Sequence, residues 1–271
     1  MHVKTVQGVE VPALGYGTFQ LSGSQCERGV AHALSVGYRH LDTAQAYENE
    51  DRVGAAIAAS GVPREEIFLT TKLWTSELTR DRVGPATDAN LRRLDTDQVD
   101  LGAHPQAVAG GAVRETLAAM VAVMDAGRTR SIGLSNFPPS LVCEALEHAP
   151  IRCNHVEYHP FLGQPRLREL AAEHDLLLTA YSPLARGRVD GDDTLREIAA
   201  AHGATPAQVA LRWLVDQDRV AAIPKATSPE RIEENLGALE LSLDDAERRR
   251  IDALERGERL IDPTFAPDWE D

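Results

Sequence analysis

The stretch GYRHLDTAQAYENEDRVG, residues 37–54, holds one complete strand-to-helix junction. A β-like run ends on Asp42, a short polar loop carries Tyr47, and helical periodicity starts near Asn49. The same alternation continues in both directions. Short runs rich in Val, Ile, Leu and Tyr are expected as strands over residues 13–18, 38–42, 67–72, 98–103, 131–135, 152–157, 176–181 and 220–224. Between and after them, helix-period segments cover residues 25–36, 50–59, 79–94, 113–126, 139–148, 165–174, 205–216 and 229–236. Eight βα units in 271 residues predict an α/β fold, a (β/α)8 TIM barrel. Such barrels run to about 250 residues, so residues 1–271 are read as a single domain.

Additions to the eight units are expected at both ends. The first dozen residues, with Gly8 between two β-like runs, suit an N-terminal hairpin that closes the barrel's bottom. Two extra helices are read at residues 194–203 and 242–254, the second opened by Ser242, and a C-terminal loop follows. Ser228-Pro229 and Thr205-Pro206 each offer a hydroxyl cap with proline at the first helical position.

Charge narrows the function classes. With 42 acidic and 28 basic residues, the net charge of −14 argues against nucleic-acid or anionic-membrane partners. No apolar run approaches the ~18 residues of a membrane span. The opening MHVKTVQGVEVPALG lacks a secretory apolar segment, so a cytoplasmic location is expected. Cys26, Cys143 and Cys153 form no C-x-x-C pair and read as reduced thiols.

In a barrel of this kind, chemistry sits at the C-terminal ends of the strands. Asp42, Lys72, His104, Asn136, Tyr181 and Lys225 all fall at or just beyond those ends. Tyr47 lies on the loop after Asp42. A phenol with an ordinary pKa of about 10 donates a proton more readily when a positive charge stabilises its phenolate. Lys72 supplies that charge and Asp42 keeps Lys72 protonated, which makes a general acid of a weak one.

The segments GYRHLDTAQAYENEDRVG, FLTTKLW, IGLSNF, CNHVEYHP, AYSPLA and IPKATSPERIEEN, in that order, resemble the aldo-keto reductases from about Val11 onward. The stretches ATPAQV and RLIDPTFAPDWED are further similar to the B-type bacterial 2,5-diketo-D-gluconate reductase branch. The resemblance implies NADPH-dependent reduction of an aldehyde or ketone by a monomer, without a metal. It implies Tyr47 as proton donor, with Lys72 and Asp42 lowering its pKa and His104 orienting the carbonyl. Gly17, Thr18, Ser135, Asn136, His155, Tyr181, Ser182 and Leu184 would surround the nicotinamide half of the cofactor. Lys225 and Arg231 would hold the 2′-phosphate, with Glu234 and Asn235 on the adenine. The substrate would be a small polar carbonyl or keto-sugar acid, met by aromatic walls at Phe19, Trp74, Phe265 and Trp269.

Three positions depart from the family pattern. The strand before His104 is one residue short, and a one-residue slip reverses the face of a side chain unless a bulge restores it. His155 stands where relatives carry Gln, and Ala226 where a hydroxyl touches the phosphate. His40 and Glu157 are read as structural, facing away from their strand neighbours, and His159-Pro160 as a turn. A non-catalytic nicotinamide-binding sensor and a Schiff-base lyase using Lys72 are the competing readings.

Overall fold

The computed structural model describes residues 2–104, 111–264 and 266–269. Its hairpin pairs β1 (Val3–Val6) with β2 (Val9–Pro12), turning at Gln7 and Gly8 in the left-handed region. Eight parallel strands then follow: β3 (Tyr16–Gly17), β4 (His40–Asp42), β5 (Phe68–Lys72), β6 (Leu101–His104), β7 (Ile132–Ser135), β8 (Ile151–Glu157), β9 (Leu177–Tyr181) and β10 (Val220–Ala222). Each pairs with its sequence neighbour, and the two ends meet at a parallel bridge between Leu14 and Ala222. The Gly15 amide donates to Ala222 O at 2.8 Å and the Gly17 amide to Pro224 O at 3.0 Å, so the barrel is closed. A Cβ on Gly17 would lie 2.8 Å from the Ile223 carbonyl oxygen, which is why the closing strand carries no side chain there.

The helices are α1 (Gly23–Val36), α2 (Glu50–Ala59), α3 (Val83–Leu94), α4 (Gly111–Asp125), α5 (Pro139–Leu146), α6 (Pro165–His174), α7 (Asp193–His202), α8 (Pro206–Asp216), α9 (Pro229–Gly237) and α10 (Asp245–Asp252). The two expected extras are α7 and α10. Helices α8 and α9 start as read, with Thr205 and Ser228 capping backbone amides. Ser242 is not the cap of α10. Asp244 and Glu247 form a reciprocal capping box instead, because they stand at the three-residue spacing that lets each side chain reach the other's backbone. Helix α3 begins at Val83, after a turn at Thr79 whose carbonyl accepts from Arg82 and Val83.

Two apolar cores follow from burying both faces of a parallel sheet. The larger includes Leu41, Leu69, Leu134 and Leu178 together with Val30, Leu117 and Leu214 of the helices. The smaller joins Phe68, Leu101, Cys153, Leu177 and Ala221 to Val6 and Val11 of the hairpin, which plugs the bottom.

Register decides which side chains enter the barrel. Lys72, Ala103, Gly133, Cys153 and Leu177 are aligned across β5 to β9. His104 is aligned with Leu134, Asn154 and Leu178, one residue on and therefore on the opposite face. The pairing irregularity falls between β7 and β8, at Ile132/Gly133, not on β6. His40 and Glu157, read as facing away from their neighbours, instead share the inward rows of Asp42 and His155, two residues away on β4 and β8.

Candidate active site

A buried ion pair anchors the barrel mouth. Lys72 Nζ lies 2.5 Å from Asp42 Oδ1 and also donates to the Thr43 carbonyl at 3.2 Å. Burial opposes charge on both groups, but each partner more than offsets that cost for the other. Asp42 is held down at about 2, against the pull of burial, by Lys72 and His155. Lys72 is held above its ordinary value, burial notwithstanding, by Asp42 and then Tyr47.

Tyr47 closes a short 3-10 turn, Gln45–Tyr47, and Glu48 follows in the left-handed region. Lys72 Nζ is 5.6 Å from the centre of the Tyr47 ring. Burial raises the phenol's pKa, Lys72 pulls it down and Asp42 raises it again, for a net rise. The expected lowering is thus present as the lysine's contribution but is outweighed by burial, and the phenol keeps its proton at neutral pH.

The loop is fixed at both ends. The Asn49 side chain accepts from Thr43 Oγ1 at 2.8 Å and donates to the carbonyls of Thr18 and Leu21 at 3.0 and 2.8 Å. Gln45 Oε1 accepts from the Trp74 amide at 2.9 Å. The sequence reading missed both; a polar side chain flanking the Tyr47 loop was their only local signal.

Among the expected aromatic walls, Phe19 packs edge-on to Tyr47 at 5.1 Å, and exposed Trp74 is tied to the same loop by its backbone. Trp269 lies under the Arg259 guanidinium, 3.9 Å away, and donates to Asp262 at 3.0 Å. Phe265 lies outside the described residues, as do residues 105–109 of the atypical segment.

Around the same mouth, Ser135 is buried, and Asn136 adopts φ 59° so that its Oδ1 accepts from the Tyr181 hydroxyl at 2.6 Å. Gly17 and Thr18 adjoin Asp42, whose carbonyl accepts from the Thr18 amide and hydroxyl, both at 3.0 Å. Ser182 and Leu184 are half-buried on the turn after β9. Buried His155 places Nε2 3.2 Å from Asp42 Oδ2, at ion-pair distance but off the line of a hydrogen bond.

His104 is not brought to this cluster. It is buried on the helix-facing side of β6, its ring edge-on to Phe137 at 5.3 Å. Asn154 brackets Phe137 by bonding both its amide and its carbonyl. Its pairing with Leu134 sets it on that row.

At the rim, Lys225 and Arg231 are exposed at the start of α9. Two buried tyrosines pin this segment, Tyr16 donating to Ala226 O at 2.7 Å and Tyr38 to Ile232 O at 3.1 Å. Glu234 Oε1 already accepts from Thr205 Oγ1 at 3.0 Å, and Asn235 is buried behind it.

Comparison with known proteins identifies the family. The sequence profile of the Aldo/keto reductase family matches residues 13–256. An aldo-keto reductase of Mycolicibacterium smegmatis is 41% identical over 256 residues, 93% of each chain. The methylglyoxal reductase DkgB of Escherichia coli is 39% identical over 266 residues, 96% of this chain and 99% of its own. A crystal structure assigned to 2,5-diketo-D-gluconic acid reductase B superimposes with a TM-score of 0.97 at 40% identity, covering 100% of this chain and 98% of that one. No helix among the described residues is long and apolar enough to cross a membrane. The chain belongs to the aldo/keto reductase family, oxidoreductases that reduce carbonyl groups with a nicotinamide cofactor.

Proposed function

We propose that the protein is an NADPH-dependent reductase of small polar carbonyls, of the methylglyoxal or 2,5-diketo-D-gluconate type, with Tyr47 as the proton donor. The observation that carries this reading is the 2.5 Å Asp42–Lys72 pair beneath the Tyr47 ring. Bound NADPH supplies the hydride. Tyr47 hands its proton to the carbonyl oxygen, and the Lys72 ammonium, locked by Asp42, stabilises the phenolate left behind. Phe19 packs edge-on to the phenol, and Trp74, tied to the same loop by its backbone, would add an apolar wall on one side of the substrate.

The residues present suit the cofactor. Lys225 and Arg231 stand beside the amino end of α9, a favourable setting for a phosphate, and neither makes an ion pair among the described residues. Their pairing supports NADPH over NADH. Ser135, Asn136 and Tyr181 offer polar groups for the nicotinamide end, with Gly17, Thr18, Ser182 and Leu184 beside them. The residues of this reading belong to one chain, and we take the working unit to be a cytoplasmic monomer. Cys26, Cys143 and Cys153, all free, suit a reducing compartment.

The test is NADPH oxidation with methylglyoxal, glyceraldehyde and 2,5-diketo-D-gluconate, run beside Tyr47→Phe and an NADPH-binding titration. Turnover that disappears in Tyr47→Phe supports the reading. Tight NADPH binding without turnover supports the sensor instead, which the outward position of His104 favours. The lyase is disfavoured because Asp42 keeps Lys72 charged and therefore non-nucleophilic.

A further inference from the structure

We propose that His155, supplied by β8, is the histidine of this site. As an imidazolium it shares the Asp42 carboxylate with Lys72 and acts as a positioning residue that makes the Tyr47 proton easier to release. The inference rests on Tyr47 being the proton donor.

The geometry divides one carboxylate between two cations. Asp42 Oδ1 takes Lys72 Nζ at 2.5 Å, and Asp42 Oδ2 faces His155 Nε2 at 3.2 Å. On its other side, His155 Nδ1 is 3.7 Å from Cys153 Sγ, which in turn contacts Thr179 Oγ1 at 3.1 Å. The ring is therefore held on both edges and has no exposure to solvent. Register places it in line with Ser135 and Thr179, on the inward face that also carries Lys72.

Charge counting gives the consequence. Asp42 and Lys72 alone cancel, and the phenol then sees a dipole. A proton on His155 leaves the cluster with a net positive charge, which favours the phenolate. Burial pulls the His155 pKa down, but the Cys153 sulfur and the Asp42 carboxylate push it up further, to about 9, against opposition from Lys72. The ionisable groups around it include Asp42 and His40 from β4, Lys72 from β5, Cys153 and Glu157 on its own strand, and Tyr47 beyond β4. His40 is depressed to about 4 by burial and stays neutral near physiological pH. Residues 105–110, PQAVAG, contain no ionisable side chain.

His155 and Tyr47 then titrate as a coupled pair, each phenolate favouring the imidazolium and the reverse. His155→Gln puts a neutral amide beside Asp42 in place of the charge. The experiment reads NADP+-dependent alcohol oxidation by each protein from about pH 7 to about pH 10. Because His155, at about 9, loses its proton before a phenol held above its ordinary value, the two proteins should differ below pH 9 and converge above it. Alcohol oxidation near neutrality should fall about tenfold in His155→Gln. In parallel, the His155 imidazole is titrated by NMR in the unmodified protein, which needs no variant to fold.

An imidazole still neutral one unit below pH 9, or an alcohol-oxidation rate near neutrality unchanged by His155→Gln, overturns the inference. Failure of the unmodified protein to reduce any carbonyl with NADPH overturns the functional reading instead, and the imidazole titration still judges the charge on His155 separately.

Discussion

The Glu157 carboxylate accepts the Leu260 backbone amide at 2.9 Å, across more than a hundred residues of chain, and its second oxygen takes Ile261 at the same distance. His159 Nε2, 3.0 Å away, steadies the wholly buried acid. The C-terminal tail is thus tied to the end of β8. Glu157→Gln leaves only one acceptor oxygen and orphans a backbone amide, a loss of about 1–3 kcal/mol at that contact. The variant should release the tail to limited proteolysis and raise KM for carbonyl substrates several-fold, with a smaller change in kcat.

Lys72→Met removes the ammonium under Tyr47 and leaves Asp42 facing only His155. Carbonyl reduction should fall by about 100-fold or more in kcat, the size expected for a general acid deprived of its activating charge. NADPH affinity, measured by fluorescence quenching, should change little, because the rim cations are untouched.

At that rim, Lys225→Ala and Arg231→Ala each remove one charged partner of the proposed 2′-phosphate contact. Each should weaken NADPH binding about tenfold, consistent with a charge-assisted hydrogen bond of about 1.5–3 kcal/mol. NADH binding should be unaffected, and calorimetric titration with both cofactors checks the difference.

Two buried histidines give the folded state opposite responses to pH. His40 titrates at about 4 when folded and at the ordinary 6.5 when unfolded. Its contribution is present above 6.5 and is lost as pH falls towards 4, an effect of about 3 kcal/mol if uncompensated. Asp42, held at about 2 against 3.8 when unfolded, adds slope only at the acid end of that window and below it. His155, raised to about 9, contributes fully below 6.5 and loses its contribution as pH rises through 9. Urea unfolding of His40→Gln should show a flatter acid limb than the unmodified protein, and of His155→Gln a flatter alkaline one.

Much of the architecture was legible because each βα unit announces itself locally: the run ending at Asp42, the proline-led caps at Thr205 and Ser228, the hairpin glycine at Gly8. The Asp42–Tyr47–Lys72 cluster was legible for the same reason, two of its members lying within six residues of one another. What stayed hidden depends on distant partners. The sequence raised a one-residue slip at His104, but its face is set by alignment with Leu134 and Asn154. Likewise His155 gains its meaning from Asp42, and Glu157 from a tail that folds back onto it. Ser242 failed as a cap for a more local reason, since only Asp244 has Glu247 within reach.

The hairpin that seals the barrel with Val6 and Val11 also sets traffic. With that end packed solid, everything that reaches Tyr47 must arrive and depart through the same opening. A cofactor seated first against Ser135 and Tyr181 would be covered by a carbonyl compound bound at Tyr47, so the carbonyl compound would enter after it and the alcohol would leave before it. The apolar plug at one end thereby imposes an order of arrival and departure at the other.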